Sequence, residues 1–171
     1  RFDDLRTRHS VVLMDLVDTN SVSQLDDIVE LLDTAETHAR LGSWVAVMLA
    51  YEAGAAFDAA FPRRPPPPGV RLAWFAAFSS CERVEPVTRP SAWATPMRVQ
   101  RRGGSEWFMA GVTKCRHMIE QGSTYQVNLT DRFDGVLADA PFELYRAMAT
   151  AQGGAFNAYL DLGDLVVVSA S

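Results

Sequence analysis

The longest uninterrupted apolar run in this chain, Trp44 to Tyr51, is only eight residues long, whereas about 20 are needed to cross a bilayer as a helix. The run is too short for a membrane span and too evenly apolar to show a helical period. Its Trp, Val and Tyr content predicts a strand buried on both faces, closed by Glu52-Ala53-Gly54. The neighbouring apolar runs are also short. Val11 to Leu16 is β-branched and bounded by the turn-rich Asp18-Thr19-Asn20-Ser21, and Arg71 to Ser80 carries Trp74, Phe75 and Phe78. Both read as strands. A chain of 171 residues, 48% of them apolar and 22% charged, has enough material for one soluble core assembled from such pieces.

Helices are legible between the strands. Leu25, Ile28, Val29, Leu32 and Ala35 recur at offsets of three and four, with Ser21 and Ser23 as possible caps and Gly42 as the stop. Phe108, Val112, Cys115 and Ile119, with Gly111 and Met118 beside them, predict a helix over 107–120 that ends at Gly122. Asp139-Ala140-Pro141 opens another that runs to about Gln152, with Gly153-Gly154 beyond it. A short helix is expected over 55–61. It is stopped at Pro62, where a stiff surface loop over 62–69 holds four consecutive prolines, Pro65 to Pro68. Pro65 and Pro68 have the spacing of a PxxP ligand, but a connector between two strands accounts for the same residues. The stretch from Glu82 to Gly104 has no clear period and reads as a surface excursion or a boundary, so the expected division is 1–104 and 105–171. Phe156 to Asp161 and Leu165 to Ser169 read as two strands joined by Leu162-Gly163-Asp164.

A net charge of −5 argues against nucleic acid or an anionic membrane as the main partner. Cys81 and Cys115 are far apart and read as reduced thiols of a cytoplasmic protein, and His9, His38 and His117 are scattered, so a His/Cys metal site is not expected. No phosphate loop, GxSxG elbow or HExxH is present. The chemically distinctive stretch is Tyr125-Gln126-Val127-Asn128-Leu129-Thr130. Strict alternation predicts a strand with Tyr125, Val127 and Leu129 on one side and Gln126, Asn128 and Thr130 on the other. A half-solvated strand would explain that pattern without any function.

The segment Gln121 to Thr130 resembles the "AGDxYQVNLT" signature of aminodeoxychorismate synthase component I, within the chorismate-utilising enzymes. Gly42 to Val45 leading to Tyr51-Glu52-Ala53-Gly54, then Tyr159 to Asp164, then Val168-Ser169-Ala170-Ser171 agree with that family in order. The last resembles the start of its "SASPE" motif. The resemblance implies an α+β fold of mainly antiparallel sheets packed as a sandwich with flanking helices. It also implies chorismate as substrate, Mg2+ as cofactor in the full-length enzyme, and a glutaminase (amidotransferase component II) that supplies ammonia for 4-amino-4-deoxychorismate on the way to p-aminobenzoate and folate. Where the family adds water to chorismate, the position matching Gln126 is a lysine general base; where it adds ammonia, it is glutamine. The physics agrees, because a carboxamide has no accessible pKa and can only position the nucleophile by hydrogen bonding. Gln126 is thus the expected catalytic-site residue, with Asn128, Thr130 and Ser169 as candidates for the substrate pocket.

Asn128 and Thr130 favour the aminodeoxychorismate branch over anthranilate synthase, whose strand more often reads "QVVLS". Leu13-Met14-Asp15-Leu16 lacks the serine of the tryptophan-binding motif that feedback-regulated relatives carry, so that strand reads as structural. Tyr51-Glu52 reads as a strand end rather than an acid. The general-acid glutamate, the lysine nucleophile and the Mg2+ ligands of the family would follow Ser171. The chain is therefore expected to be the N-terminal part of a longer enzyme and to be inactive alone. The alternative is a non-catalytic module keeping half of the fold for a partner or ligand.

Overall fold

The structure is a computed structural model, described over residues 1–90, 99–138 and 140–171. Asp139, at the predicted start of the last helix, and the part of the expected excursion from Ser91 to Arg98 lie outside the described residues. Contacts group the chain into two units, Arg1–Pro90 with Leu144–Ser171, and Ser91–Glu143.

The first unit is an antiparallel sheet with a helix on one face. Its strands are β1 (Phe2–Asp4), β2 (His9–Val22), β3 (Trp44–Leu49), β4 (Ala73–Val84), β7 (Asn157–Asp161) and β8 (Val166–Ala170), in the order β3-β4-β2-β1-β7-β8. Every pairing in it is antiparallel. Together with the helices, this is an α+β fold.

The sheet's face assignment follows from period-two alternation. In β4, Ala73, Phe75 and Ala77 point toward helix α1 (Ile28–Arg40) and join Ile28, Leu31 and Ala35 in one buried cluster. Trp74 and Ala76 point the other way and meet Ala46, with Leu13, Met48, Phe78 and Leu160 around them. One short 3-10 turn, Leu25–Asp27, precedes α1, and neither Ser21 nor Ser23 caps it, because both serines belong to the strand end or the link after it. Val29, expected on the buried face, turns outward at 49% exposed, and Leu31, which the expected pattern did not include, is buried instead.

Three further expectations are corrected. Trp44–Leu49 is an edge strand, since among the described residues only β4 pairs with it, and Trp44 and Leu49 are exposed. The turn expected over 18–21 is strand: Asp18, Thr19, Asn20 and Ser21 pair with Ala77, Ala76, Phe75 and Trp74. What the polar residues mark is a bulge between Leu16 and Asp18, where β2 slips by one residue. Asp15 nearby has φ 59, and the Ser80 hydroxyl donates to its carboxylate at 2.7 Å. The short helix after β3 is a 3-10 segment placed earlier, at Tyr51–Ala56, where Ala53 and Ala55 are buried.

The C-terminal hairpin closes onto the chain that precedes it. Asn157 is 2% exposed and donates from its amide to the carbonyls of Asp3 and Gly154, at 2.9 and 2.8 Å. The Phe156 N–H donates to the Ser171 carbonyl at 3.0 Å. A Cβ at Gly154 would sit 1.8 Å from that same carbonyl oxygen, so only glycine lets the two backbones approach. A Gly154→Ala variant is expected to lose about 1–3 kcal/mol of stability as the hairpin is pushed away, measured by urea unfolding.

The second unit holds helix α2 (Gly104–Glu120) and a small antiparallel pair, β5 (Val99–Arg101) with β6 (Phe133–Gly135). The prediction over 107–120 matches α2, which begins three residues sooner. Gly122, with φ +71, ends it, and Ser123 N–H reaches back to the Met118 carbonyl at 3.0 Å. Helix α3 runs over Pro141–Gln152, as expected from the proline at its first turn.

Candidate functional site

The polar residues singled out in the sequence lie directly after α2. Their predicted strand is not formed: Tyr125 to Thr130 has no ladder partner among the described residues. Alternation had fixed which side chains lie on opposite sides, but a strand also needs a neighbour for its backbone groups, and that cannot be read from period alone. Gln126, Asn128 and Thr130 are exposed, and so are Tyr125 at 91% and Val127 at 41%. Only Leu129 on the segment's far half is half-buried.

Local contacts hold this segment instead of a sheet. The Thr124 hydroxyl donates to the Gln126 carbonyl at 3.0 Å, which fixes the peptide just past the carboxamide. Beyond Thr130, Asp131 accepts the N–H groups of Arg132 at 2.7 Å and Gly103 at 3.3 Å. Its carboxylate also pairs with Arg101 Nε at 3.0 Å, and the Asp131 side chain is only 7% exposed. The Arg101 guanidinium in turn lies 4.8 Å from the Phe108 ring centroid and 5.2 Å from that of Phe133, so cations and rings stack where β5, β6 and α2 meet. Arg102 pairs with Asp134; the hydrogen bond from Arg102 and its positive charge hold that carboxyl below its ordinary range.

The structure therefore brings Gln126, Asn128 and Thr130 together on one accessible segment of the second unit. Ser169 belongs to the first unit. It is an exposed residue of β8, opposite Ala158, on a cleft of about 390 Å³ that Phe2, His9, Val11 and Phe156 also line.

Sequence reasoning missed a buried, heavily bonded carboxylate of the first unit. Asp3 is 1% exposed. It takes two hydrogen bonds from Arg1, both 2.8 Å, one from the Tyr145 hydroxyl at 2.5 Å and one from the Val87 N–H at 3.3 Å. Burial alone would raise its pKa, but the Arg1, Ser10 and Tyr145 side chains and the guanidinium charge outweigh it, so the carboxyl titrates below its usual value. For Tyr145, burial and then Asp3 push the phenol well above its ordinary range. Arg1-Phe2-Asp3-Asp4 is too short to show a period, and only the Arg-x-Asp spacing, with both side chains on one face of a strand, hints at a pair. The cluster ties β1 to α3 and has the character of a structural network.

Among the described residues, no group of three or more His, Cys, Asp or Glu side chains converges as a metal site. Again among the described residues, no helix is long and apolar enough to cross a membrane.

A family model described as "chorismate binding enzyme" matches residues 6–171. Anthranilate synthase component 1 of Thermus thermophilus is 36% identical over 74 residues, which are 43% of this chain and 16% of that protein. Aminodeoxychorismate synthase of Streptomyces griseus is 31% identical over 104 residues, 58% of this chain and 14% of that protein. The matched part is thus a small fraction of either relative. No solved structure matches the chain.

Proposed function

Because the chain belongs to the family of chorismate binding enzymes, we propose that it is part of an aminodeoxychorismate synthase component I, which replaces the hydroxyl of chorismate with an amino group. The observation that carries this reading is a carboxamide at Gln126, exposed on the segment that also presents Asn128 and Thr130. An amide side chain offers one acceptor and two donors but cannot remove a proton at neutral pH. Water is a weak nucleophile until that proton is removed, whereas neutral ammonia is nucleophilic enough to attack as it arrives and needs only to be held. Gln126 in this reading accepts a hydrogen bond from the incoming ammonia, and Asn128 and Thr130 supply hydrogen bonds to a small acidic substrate.

Ammonia in this scheme comes from a glutaminase partner, the product is 4-amino-4-deoxychorismate for p-aminobenzoate and folate synthesis, Mg2+ assists in the full-length enzyme, and the setting is cytoplasmic. The similarity to the Thermus thermophilus protein supports a second reading, an anthranilate synthase component. The two differ in product, so one assay separates them. Full-length protein, chorismate, Mg2+ and ammonium chloride are expected to yield aminodeoxychorismate, identified by chromatography and mass. Anthranilate would establish the second reading, and unconsumed chorismate would defeat both.

A further inference from the structure

Gly111 lies in the middle of α2, in ordinary helical backbone rather than at positive φ. Glycine is the poorest helix former after proline, so nothing in the helix itself favours it there. Its surroundings do. A Cβ at position 111 would stand 3.0 Å from Cδ2 and 3.3 Å from Cδ1 of Leu129. The bare backbone forms a notch, and Leu129 fills it.

That notch matters because of what Leu129 belongs to. Gln126, Val127, Asn128 and Thr130 are exposed, and Leu129 is the half-buried residue among them. With no strand pairing among the described residues to fix the segment, its path is set by the Thr124 hydroxyl at one end and by the seated Leu129 at the other. Displacing Leu129 by a few tenths of an ångström carries Asn128 with it directly and Gln126 through two further peptides.

We infer that Gly111 and Leu129 are a matched pair of positioning residues that set where the Gln126 carboxamide meets the nucleophile. This rests on the amination reading above. Neither side chain touches the reacting atoms; each acts through the segment that Leu129 anchors.

The test is a cycle of four full-length proteins: wild type, Gly111→Ala, Leu129→Val and the double variant. Alanine is the better helix former, so Gly111→Ala is expected to melt at or above the wild-type temperature. Its added carbon nevertheless crowds Leu129, and the KM for ammonia is expected to rise about three- to tenfold, since small misplacements at a reacting group are costly. The KM for chorismate should change much less. Valine lacks both δ carbons, so adding Leu129→Val to Gly111→Ala is expected to bring the KM for ammonia back to within about twofold of wild type.

An unchanged KM for ammonia in a normally folded Gly111→Ala protein would overturn the inference. Equal rises in both KM values, or no recovery in the double variant, would do the same, because each assigns the pair a merely structural role. A wild-type protein that fails to aminate chorismate would instead remove the amination reading itself, before any variant is compared.

Discussion

An Asp3→Ala variant is expected to lose about 3–5 kcal/mol of folding stability, the usual cost of removing one partner from a buried ion pair. The loss comes from what the carboxylate leaves behind. Arg1, whose side chain is 15% exposed, would keep its charge with no counterion, and the buried Tyr145 hydroxyl would lose its 2.5 Å acceptor. Tyr145→Phe removes one hydrogen bond to a charged group and is expected to cost less, about 1.5–3 kcal/mol. The pH dependence has a definite sign. A carboxyl whose folded pKa is depressed contributes stability that is fully present above its unfolded pKa, near 3.9. That contribution is lost as the pH falls through the lower, folded value. Urea midpoints at pH 7 and pH 3 should therefore converge between wild type and Asp3→Ala in acid. A loss below about 1 kcal/mol at neutral pH would mean that the cluster is solvated and contributes no more than a surface ion pair.

Much of this architecture could be read before any coordinates, and the parts that could not share a cause. Helices announce themselves within one stretch of chain, so α2, α3 and the body of α1 match their periodicity to within a few residues. Strands depend on partners far away in sequence. Trp44 to Leu49 looks fully buried because all its side chains are apolar, but burial is set by its place at the edge of β3-β4-β2-β1-β7-β8, which no local pattern contains. Asp18 to Ser21 looks like a turn because of its polar residues, yet β4 across the ladder supplies partners for them. Tyr125 to Thr130 fails in the opposite direction, with good alternation and no partner among the described residues. The candidate site shows the same division. The identity of Gln126 is chemical information carried by the residue itself. Its support from Leu129, seated against Gly111, is a contact across 18 positions that appears only once the chain is folded.

Gln126→Lys in the full-length protein is expected to lower ammonia-dependent turnover by on the order of 100-fold. The substitution replaces an acceptor with a group that only donates: an ammonium has three N–H bonds and no lone pair to offer ammonia. A positive charge would also favour a neutral or anionic neighbour over a second amine that is partly protonated. If the lysine is desolvated when substrate closes over it, its pKa falls and the neutral amine becomes able to take a proton from water. The variant should then shift product from the aminated compound toward the hydroxylated isomer of chorismate, visible in one chromatogram with ammonium present and absent. Gln126→Glu separates the two effects, because it restores an acceptor of nearly the same shape while adding a negative charge, and it is expected to retain more amination than the lysine. Wild-type amination rates in Gln126→Lys would show that the carboxamide does not meet the nucleophile. The Asn128 and Thr130 side chains of the same segment would then be the groups to test.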